Sequence, residues 1–381
     1  MWVFSYVGLG IYNTRLLNDK KQLVVSCSVS VIQLMTDCII VGGGLIGMLS
    51  ARELKKSGLD VLLLDKGELG KESSWAGGGI LSPLHPWRYS DEVNQLASIG
   101  HQQYAQVAGE LFDESGVNPE YVRSGLLVLD SSEQPQAISW AEKYAMNLSV
   151  IHQQDELQAI LPDLNTHYSE GLWLPDVAQM RNPRLVRAAK GSLDALNIKY
   201  KEHTAVEKLN IKNGKIIGVE ANGKTYHADK VLIAGGAWSA ELLENDVKPP
   251  QVQPVKGQMI IFKAEPDTLK RIILAENRYL IPRQDGRILC GSTIEHSGFN
   301  KSISEAVKDE LRESAISILP KLAHFEIEHH WSGLRPGSPQ GVPFIGKQGG
   351  IEGLYINAGH YRNGVILGIG SAQRIAQVMV S

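Results

Sequence analysis

The sequence predicts an α/β protein whose main sheet is assembled from segments that lie far apart in the chain. Three observations predict this: a buried strand that runs into a glycine-rich turn and a helix, a second strand that ends in an acid, and late strands that again end in glycine-rich turns. The 381 residues suffice for two or three domains at roughly 100–200 residues each. A formal net charge of −3 and 43% hydrophobic residues are ordinary for a globular protein. The chain lacks the basic surplus of a nucleic-acid binder, so no nucleic-acid partner is expected.

Residues 1–34 differ in character from the rest of the chain. They hold two apolar runs that are too short to span a bilayer, and the basic residues follow the first run instead of preceding it as in a signal peptide. Because Met35 stands just before the first buried strand, we expect translation to start there and 1–34 to be an extension outside the fold. The alternative is a peripheral membrane anchor, which would need an amphipathic basic helix. We expect no stable membrane insertion.

The three cysteines, Cys27, Cys38 and Cys290, form no CxxC pair. A disulfide framework and a structural zinc site are therefore not expected, and a cytoplasmic location is predicted. The His and Glu residues between 324 and 330 alternate as on a solvated strand face, so no metal site is predicted there. Cys38 and Cys290 fall in predicted strands, where buried apolar thiols are expected.

A dinucleotide-binding fingerprint follows the first strand. Residues 38–41 are apolar and run into a G-x-G-x-x-G pattern formed by Gly42, Gly44 and Gly47, and a helix is predicted over 45–57. The first glycine permits the tight turn, the second lets the backbone approach a pyrophosphate, and the third lets helix and strand pack closely. The amides that begin the helix, which include those of Leu45 and Ile46, would face the phosphates.

An acid ends the second strand at the place that this fingerprint requires. Residues 60–64 predict the strand, and Asp65 follows it, where a carboxylate holds the ribose hydroxyls of a dinucleotide. A glycine-rich turn of some other α/β protein is the alternative. It does not account for a strand, a helix and an acid in this order.

Three later segments favour FAD over NAD. Residues 71–80 bring small residues and glycines directly after the second strand, where they would wrap the pyrophosphate and the flavin. Residues 230–239 predict another buried strand, which ends in a glycine turn. Residues 354–367 form a strand, a turn and the start of a helix, whose N-terminus would stabilise negative charge on a reduced flavin.

Five motifs occur in an order that resembles the D-amino-acid oxidase family of FAD enzymes, with the glycine oxidase branch of thiamin thiazole synthesis as the nearest match. The resemblance covers residues 36–381. The motifs are residues 42–47, 73–80, 235–239, 331–337 and 359–364.

The resemblance implies two domains. One is a discontinuous, Rossmann-like FAD-binding domain made of 35–80, 186–243 and 330–381. The other is a mixed, mostly antiparallel β domain that binds substrate, made of 81–185 and 244–329. Members of the family are often tetramers, so a homo-oligomer is expected.

The fingerprint and the resemblance together assign the cofactor site. The FAD is expected to be non-covalent, because the loop over 335–346 has no cysteine of the kind that tethers flavin in some relatives. The predicted cofactor-binding residues are Gly42, Gly44, Leu45, Ile46, Gly47, Asp65, Lys66, Ser73, Ser74, Gly77, Gly78, Gly79, Val206, Gly235, Trp238, His360, Arg362, Asn363, Gly364 and Val365.

The resemblance also implies a small amino acid or an N-alkyl glycine as substrate. Arg335 matches the position whose guanidinium binds the substrate carboxylate, an arrangement that a planar fork favours. Tyr279 matches the tyrosine that touches the same carboxylate. Arg362 matches an arginine near the flavin and the substrate.

Three further residues are expected to wall the substrate pocket. Ile80 and Ile294 stand where methionine is common in the best-known branch of the family, and Asn277 stands where that branch has a histidine. These departures leave the preferred amine open among glycine, sarcosine, D-alanine and similar compounds.

The chemistry implied is hydride transfer from Cα to the flavin, hydrolysis of the imino acid, and reduction of O₂ to H₂O₂. With glycine the product would be iminoacetate, which a thiazole synthase could consume. A D-amino-acid dehydrogenase that passes electrons to a quinone stays open as an alternative. A flavin domain acting on a modified tRNA base is disfavoured by the slightly acidic charge. An NAD-dependent dehydrogenase is disfavoured by the terminal motifs.

Overall fold

The computed structural model describes residues 36–243 and 248–381. The interpretation of residues 1–34 as an extension, together with Cys27, lies outside these ranges. The described residues form two eight-stranded sheets, a two-stranded sheet and eight α-helices.

The elements are numbered in chain order. The strands are β1 (Thr36–Val41), β2 (Val61–Leu64), β3 (Val122–Arg123), β4 (Leu126–Val128), β5 (Ser149–Ile151), β6 (Gly171–Leu174), β7 (Ala178–Gln179), β8 (Lys199–Lys201), β9 (Val206–Lys212), β10 (Lys215–Ala221), β11 (Lys224–Ile233), β12 (Gln253–Phe262), β13 (Ile272–Ala275), β14 (Arg278–Pro282), β15 (Ile288–Gly291), β16 (Ile327–Gly337), β17 (Phe344–Lys347) and β18 (Leu354–Ala358). The helices are α1 (Leu45–Lys56), α2 (Ser73–Ala76), α3 (Asp91–Ser115), α4 (Gln134–Lys143), α5 (Gln154–Ile160), α6 (Asn182–Ala195), α7 (Glu305–Ile318) and α8 (Gly364–Val380).

The first sheet has a parallel centre in the order β18–β11–β1–β2–β8. Strand β1 is almost wholly apolar and buried, as expected of a strand covered on both faces. It pairs with β11, with Ile39 opposite Val231, so the chain returns to this sheet after a long insertion, as predicted. Helices α1, α3, α6 and α8 pack into one core, and the β9–β10–β11 meander contributes to another. Its two turns contain Asn213 and Asn222, both with positive φ, as the Asn-Gly pairs predict.

The second sheet has the order β16–β12–β15–β14–β13–β4–β6–β5, and all its pairs are antiparallel except β13 with β4. Helix α7 packs its apolar side into a core that includes Ile260 and Leu280. Because side chains alternate along a strand, neighbours such as Met259 and Tyr279 belong to a different core. The α/β fold with mixed sheets confirms the predicted fold class.

Two elements lie across the predicted domain limits. The rest of the domain division stays a prediction. Strand β16 pairs along β12 in the second sheet, although residues from 330 onward are assigned above to the FAD-binding domain. Helix α3 packs with α6 and α8 in the core of the first sheet, although 81–185 is assigned to the substrate domain. The apolar stripe of α3, which includes Leu96 and Tyr104, explains that placement. Among the described helices, none is long and apolar enough to cross a membrane.

Candidate cofactor and substrate site

A cavity of about 460 Å³ lies between the two large sheets. It starts at the carboxyl ends of β1, β2, β11 and β18, which is where ligands bind to parallel α/β sheets. It continues to side chains of β12, β14 and β16 in the second sheet. We call the part next to the first sheet the dinucleotide end, marked by Gly42, Gly44 and Asp65, and the part next to the second sheet the substrate end, marked by Met259, Tyr279 and Arg335.

Most residues predicted to bind cofactor or substrate line this cavity. Four do not: Gly47, Asn277, Ile294 and Asn363. The predicted residues in the lining are Gly42, Gly44, Leu45, Ile46, Asp65, Lys66, Ser73, Ser74, Gly77, Gly78, Gly79, Ile80, Val206, Gly235, Trp238, Tyr279, Arg335, His360, Arg362, Gly364 and Val365.

The glycine-rich turn leaves no room for side chains. Gly42 has a φ of +110°, and a Cβ there would lie 2.4 Å from the carbonyl oxygen of Ala234. A Cβ on Gly47 would lie 1.9 Å from the carbonyl oxygen of Gly42, so this glycine serves the packing of α1 on the turn. The first turn of α1 carries no acidic residue, which suits a helix start that faces phosphate.

Asp65 supports the glycine-rich turn as well as lining the cavity. Its Oδ2 accepts the Gly43 amide at 2.6 Å, and its Oδ1 accepts the Gly67 amide at 2.8 Å. Burial raises the pKa of this carboxyl, while the two amides oppose the rise. The position of Asp65 at the end of β2 predicts a ribose contact but gives no sign of this bond to Gly43, since the bond depends on how the turn folds back over β2.

Unpartnered polar atoms on lining residues fit a large polar ligand. Asn182 Oδ1, Asn357 Oδ1 and His360 Nε2 are buried without a hydrogen-bond partner, and all three residues line the cavity. Burial lowers the pKa of His360 to about 3, so its ring is neutral at physiological pH. Because buried polar groups are rarely left unpaired, these atoms match a cofactor with many hydrogen-bonding groups.

Arg335 dominates the substrate end. It lies on β16 opposite Val255 of β12, and its guanidinium crosses Gly257, where a Cβ would lie 2.1 Å from Nη2. Its Nη1 donates to the carbonyl oxygens of Lys256 at 3.3 Å and Thr293 at 3.1 Å. Its Nη2 donates to Ser292 Oγ at 2.5 Å. A glycine inside strand β12 is the sequence signal for this close approach, and the predicted site residues do not include it.

The positive charge of this end has no protein counter-ion. In residues 36–243 and 248–381, no Asp or Glu oxygen lies within 4.0 Å of the Arg335 or Arg362 guanidinium. Burial lowers the pKa of Arg335, and the neighbouring Tyr279 opposes this, but a guanidinium stays protonated in proteins. A partly buried cation without a counter-ion is costly, so this end of the cavity favours an anionic ligand.

Tyr279 lies beside Arg335 and is 7% exposed. Its hydroxyl is 3.6 Å from Met259 Sδ, and Met259 also lines the cavity, although the sequence gave no reason to single it out. Ile80 lines the same cavity and bridges to Gln179. Met259 and Ile80 therefore add apolar surface to a cavity lining that also holds the polar Arg335.

Arg283 holds the glycine-rich 77–79 segment in place. It is buried, and it donates to the carbonyl oxygen of Gly78 at 2.8 Å, to that of Met180 at 3.0 Å and to Gln179 Oε1 at 2.6 Å. Burial lowers its pKa to about 10. The neutral acceptors fix the segment from the side of the second sheet.

Two predicted pocket residues lie away from the cavity, and their positions do not support that role. Glu276 and Asn277 both have positive φ and form the exposed two-residue turn between β13 and β14, so Asn277 stands at a hairpin tip. Ile294 is 49% exposed. Its neighbours Thr293 and Glu295 hydrogen-bond toward β12, and alternation along an extended segment turns Ile294 the opposite way.

The remaining predictions concern Asn363 and metal ions. Asn363 is buried at the start of α8 and lies behind the lining formed by its neighbours Arg362 and Gly364. No group of three or more His, Cys, Asp or Glu residues that could hold a metal ion is found in the described part of the chain.

The fold and this cavity define a dinucleotide-binding oxidoreductase: a glycine-lined helix start at the end of a parallel sheet, joined to a positively charged substrate end. The family model described as FAD dependent oxidoreductase (DAO) matches residues 37–378. The chain belongs to this family, and its cofactor is FAD.

Similar proteins cover nearly the whole described chain. Glycine oxidase of Pseudomonas aeruginosa is 44% identical over 342 residues, which are 90% of this chain and 94% of that protein. The bifunctional protein ThiO/ThiG of Trichormus variabilis is 30% identical over 90% of this chain and 52% of its own length. The crystal structure of glycine oxidase from Bacillus cereus superposes with a TM-score of 0.84 at 29% identity, over 91% of this chain and 95% of that one.

Proposed function

We propose that this protein is an FAD-dependent amino-acid oxidase that deaminates glycine and other small amines, such as sarcosine and D-alanine, and reduces O₂ to H₂O₂. The observation that carries the proposal is the half-buried Arg335 guanidinium in the cavity lining, which has no carboxylate partner among the described residues. The similarity to glycine oxidases supports the small substrate and favours O₂ over a quinone as electron acceptor.

The dinucleotide end would hold the FAD. The first-turn amides of α1 and the Ser73 to Gly79 segment suit the pyrophosphate, and Asp65 suits the ribose. When bound, FAD supplies the two-electron chemistry that oxidises the substrate C–N unit and reduces O₂.

The substrate end would bind and orient the amino acid. Arg335 has N–H donors beyond those that its three protein acceptors use, and these would form a fork for the carboxylate. The rigid backing of neutral acceptors fixes the direction of that fork, so the carboxylate position determines where Cα lies. Tyr279, Met259 and Ile80 exclude water around it. An apolar surrounding also favours the neutral amine, which is the form that reacts.

The test is a spectrum and a peroxide assay on the purified protein. We expect flavin absorption near ~450 nm that bleaches on anaerobic addition of glycine, sarcosine or D-alanine, and H₂O₂ release in air. Bleaching without peroxide would support the quinone-linked dehydrogenase instead. A protein that cannot take up FAD would contradict the cofactor, and one that takes up FAD but does not bleach with any small amine would contradict the substrate class.

Further parts of the proposal concern the setting of the enzyme. Similarity to ThiO/ThiG supports a functional link to a thiazole synthase that consumes the imino acid. We also propose a homo-oligomer and a cytoplasmic location, to be tested by light scattering and by cell fractionation.

A further inference from the structure

The direction of the Arg335 guanidinium depends on a short segment that follows β15. Two of its three acceptors, Ser292 Oγ and the carbonyl oxygen of Thr293, belong to residues 292–295. The third, the carbonyl oxygen of Lys256, belongs to β12. The direction of the guanidinium therefore depends on how firmly this segment is fixed to β12.

The segment is fixed to β12 by a backbone bridge and by side chains. The amide of Lys256 donates to the carbonyl oxygen of Glu295, and the amide of Glu295 donates to that of Lys256, both at 2.9 Å. The Lys256 ammonium pairs with Glu295 Oε2 at 2.8 Å and also donates to the carbonyl oxygen of Ser302 at 3.0 Å. Lys256 is 5% exposed, which is rare for a lysine and requires a partner.

The other oxygen of Glu295 is also bound. Glu295 Oε1 accepts from Thr293 Oγ1 at 2.5 Å and from Gln258 Nε2 at 2.9 Å. Thr293 Oγ1 in turn accepts the Gln258 amide at 2.9 Å. Burial raises the pKa of Glu295, but the bonds from Lys256, Thr293 and Gln258 outweigh this and leave the pKa below its ordinary value, so the carboxylate is charged.

We propose that Lys256 and Glu295 are positioning residues for substrate binding, because their ion pair locks the 292–295 segment onto β12 and thereby aims the Arg335 guanidinium. Neither side chain is proposed to touch the substrate, and neither residue lines the cavity. The proposal rests on the proposed function, in which Arg335 binds the substrate carboxylate.

The opposite charges of the pair separate positioning from a simple electric-field effect. Removing the Lys256 charge takes positive charge from the surroundings of Arg335, whereas removing the Glu295 charge takes negative charge away. A field effect would therefore weaken carboxylate binding in Lys256→Met and strengthen it in Glu295→Gln. Positioning predicts that both substitutions weaken it.

The experiment compares these variants as FAD-loaded proteins, using glycolate as a carboxylate probe that lacks an amine. Glycolate affinity is measured by calorimetry, and KM and kcat for glycine are measured with thermal unfolding as a check on folding. We expect both variants to bind glycolate about tenfold more weakly and to lower kcat/KM for glycine by at least about tenfold, through a higher KM and a lower kcat as the carboxylate and Cα shift. Lys256→Arg, which keeps the charge, should recover most of the affinity.

Lys263→Met is the matched control. Lys263 follows β12 directly and pairs with Glu326 at 3.2 Å, but this pair is 61% and 69% exposed. Lys263→Met should leave glycolate affinity and KM unchanged.

The proposal is wrong if Lys256→Met and Glu295→Gln both bind glycolate within twofold of the unsubstituted protein, or if their affinities shift in opposite directions. Should Lys256→Met fail to fold, Glu295→Gln decides alone, since stronger or unchanged glycolate binding in that variant contradicts the proposal. Should Glu295→Gln fail to fold, Glu295→Asp replaces it: this variant keeps the charge but shortens the side chain, so weaker glycolate binding supports positioning and unchanged binding contradicts it. Failure of the unsubstituted protein to bind glycolate or to oxidise glycine would instead overturn the proposed function.

Discussion

The two ends of the cavity are built in different ways. The dinucleotide end is largely backbone: a turn in which Gly42 and Gly47 leave no space for a Cβ, and a helix start without acidic residues. The substrate end is made of side chains that cross between strands, with Arg335 held by acceptors from β12 and from the segment after β15. Their charges differ as well. The acidic lining residues, Asp65, Glu72, Glu207 and Glu241, come from segments near the first sheet.

This difference indicates how each end tolerates change. A backbone site depends on φ angles and on the close approach of main-chain atoms, so an added methyl group is harmful there. Most changes in side-chain chemistry leave such a site unaffected. A side-chain site depends on one charged group and the register that aims it, so the loss of that group is harmful while the surrounding backbone is unaffected. Three substitutions test this contrast.

The largest effect is expected from Arg335→Leu. Loss of a buried, hydrogen-bonded charge pair with the substrate should reduce kcat/KM for glycine about a thousandfold, equivalent to about 4 kcal/mol. FAD content, measured by absorbance, should be retained because the dinucleotide end is untouched. Arg335→Lys keeps the charge but not the planar fork, so its kcat/KM should lie between those of Arg335→Leu and the unsubstituted protein. Equal loss of FAD and activity in Arg335→Leu would contradict the separation of the two ends.

Gly42→Ala should have the next largest effect, and on the cofactor. The new Cβ would approach the carbonyl oxygen of Ala234 to 2.4 Å at a φ of +110°. We expect FAD affinity, measured by fluorescence on reconstitution, to fall about a hundredfold, or about 3 kcal/mol. Gly58→Ala is the control, since Gly58 has a φ of +91° with no atom within 4 Å of a Cβ. If both variants bind FAD equally well, the close approach at Gly42 is not what the cofactor requires.

The smallest effect over a single pH unit is expected on the pH dependence of stability, through His360 at the dinucleotide end. Its folded pKa is about 3, against 6.5 for an ordinary histidine. Between these values the unfolded chain binds a proton that the folded protein does not, so stability is lost as the pH falls below 6.5. This residue should contribute a slope of about 1.4 kcal/mol per pH unit.

The measurement is urea unfolding from pH 7 to pH 4. His360→Gln should flatten the fall in the free energy of unfolding by that slope. Comparing slopes instead of absolute free energies of unfolding cancels any stability that the variant loses through poorer packing. An unchanged slope in His360→Gln would show that the folded protein protonates this ring.

Much of the dinucleotide end could be predicted because its signals are local. The helix predicted over 45–57 is observed as Leu45–Lys56 with Ser57 as its C-cap, and the last helix, whose start is predicted within 354–367, begins at Gly364. A run of buried apolar residues, a glycine where φ must be positive, and the helix that follows lie within a few residues of one another. The side chain of Asp65 is the exception, because its bond to the Gly43 amide joins the end of β2 to the turn after β1.

The substrate end could be predicted only as a set of residue types. Asn277 and Ile294 were placed in the pocket by their positions in the sequence. A two-residue turn puts the first at a hairpin tip, and strand alternation turns the second outward. Neither effect is visible until the pairing of β13 with β14, and of the 292–295 segment with β12, is known.

The sequence by itself determined the α/β class, the dinucleotide turn and the presence of an arginine in a glycine-rich segment. These depend on local backbone preferences and hydrophobic periodicity, which a few neighbouring residues specify. Only the tertiary structure decided that Arg335 lines the cavity without a carboxylate partner among the described residues and that Lys256 and Glu295 hold its acceptors in place. The reason is strand register: Arg335 bonds to a carbonyl 79 residues away, and a shift of one residue between β12 and β16 would turn every side chain on the strand to the other face.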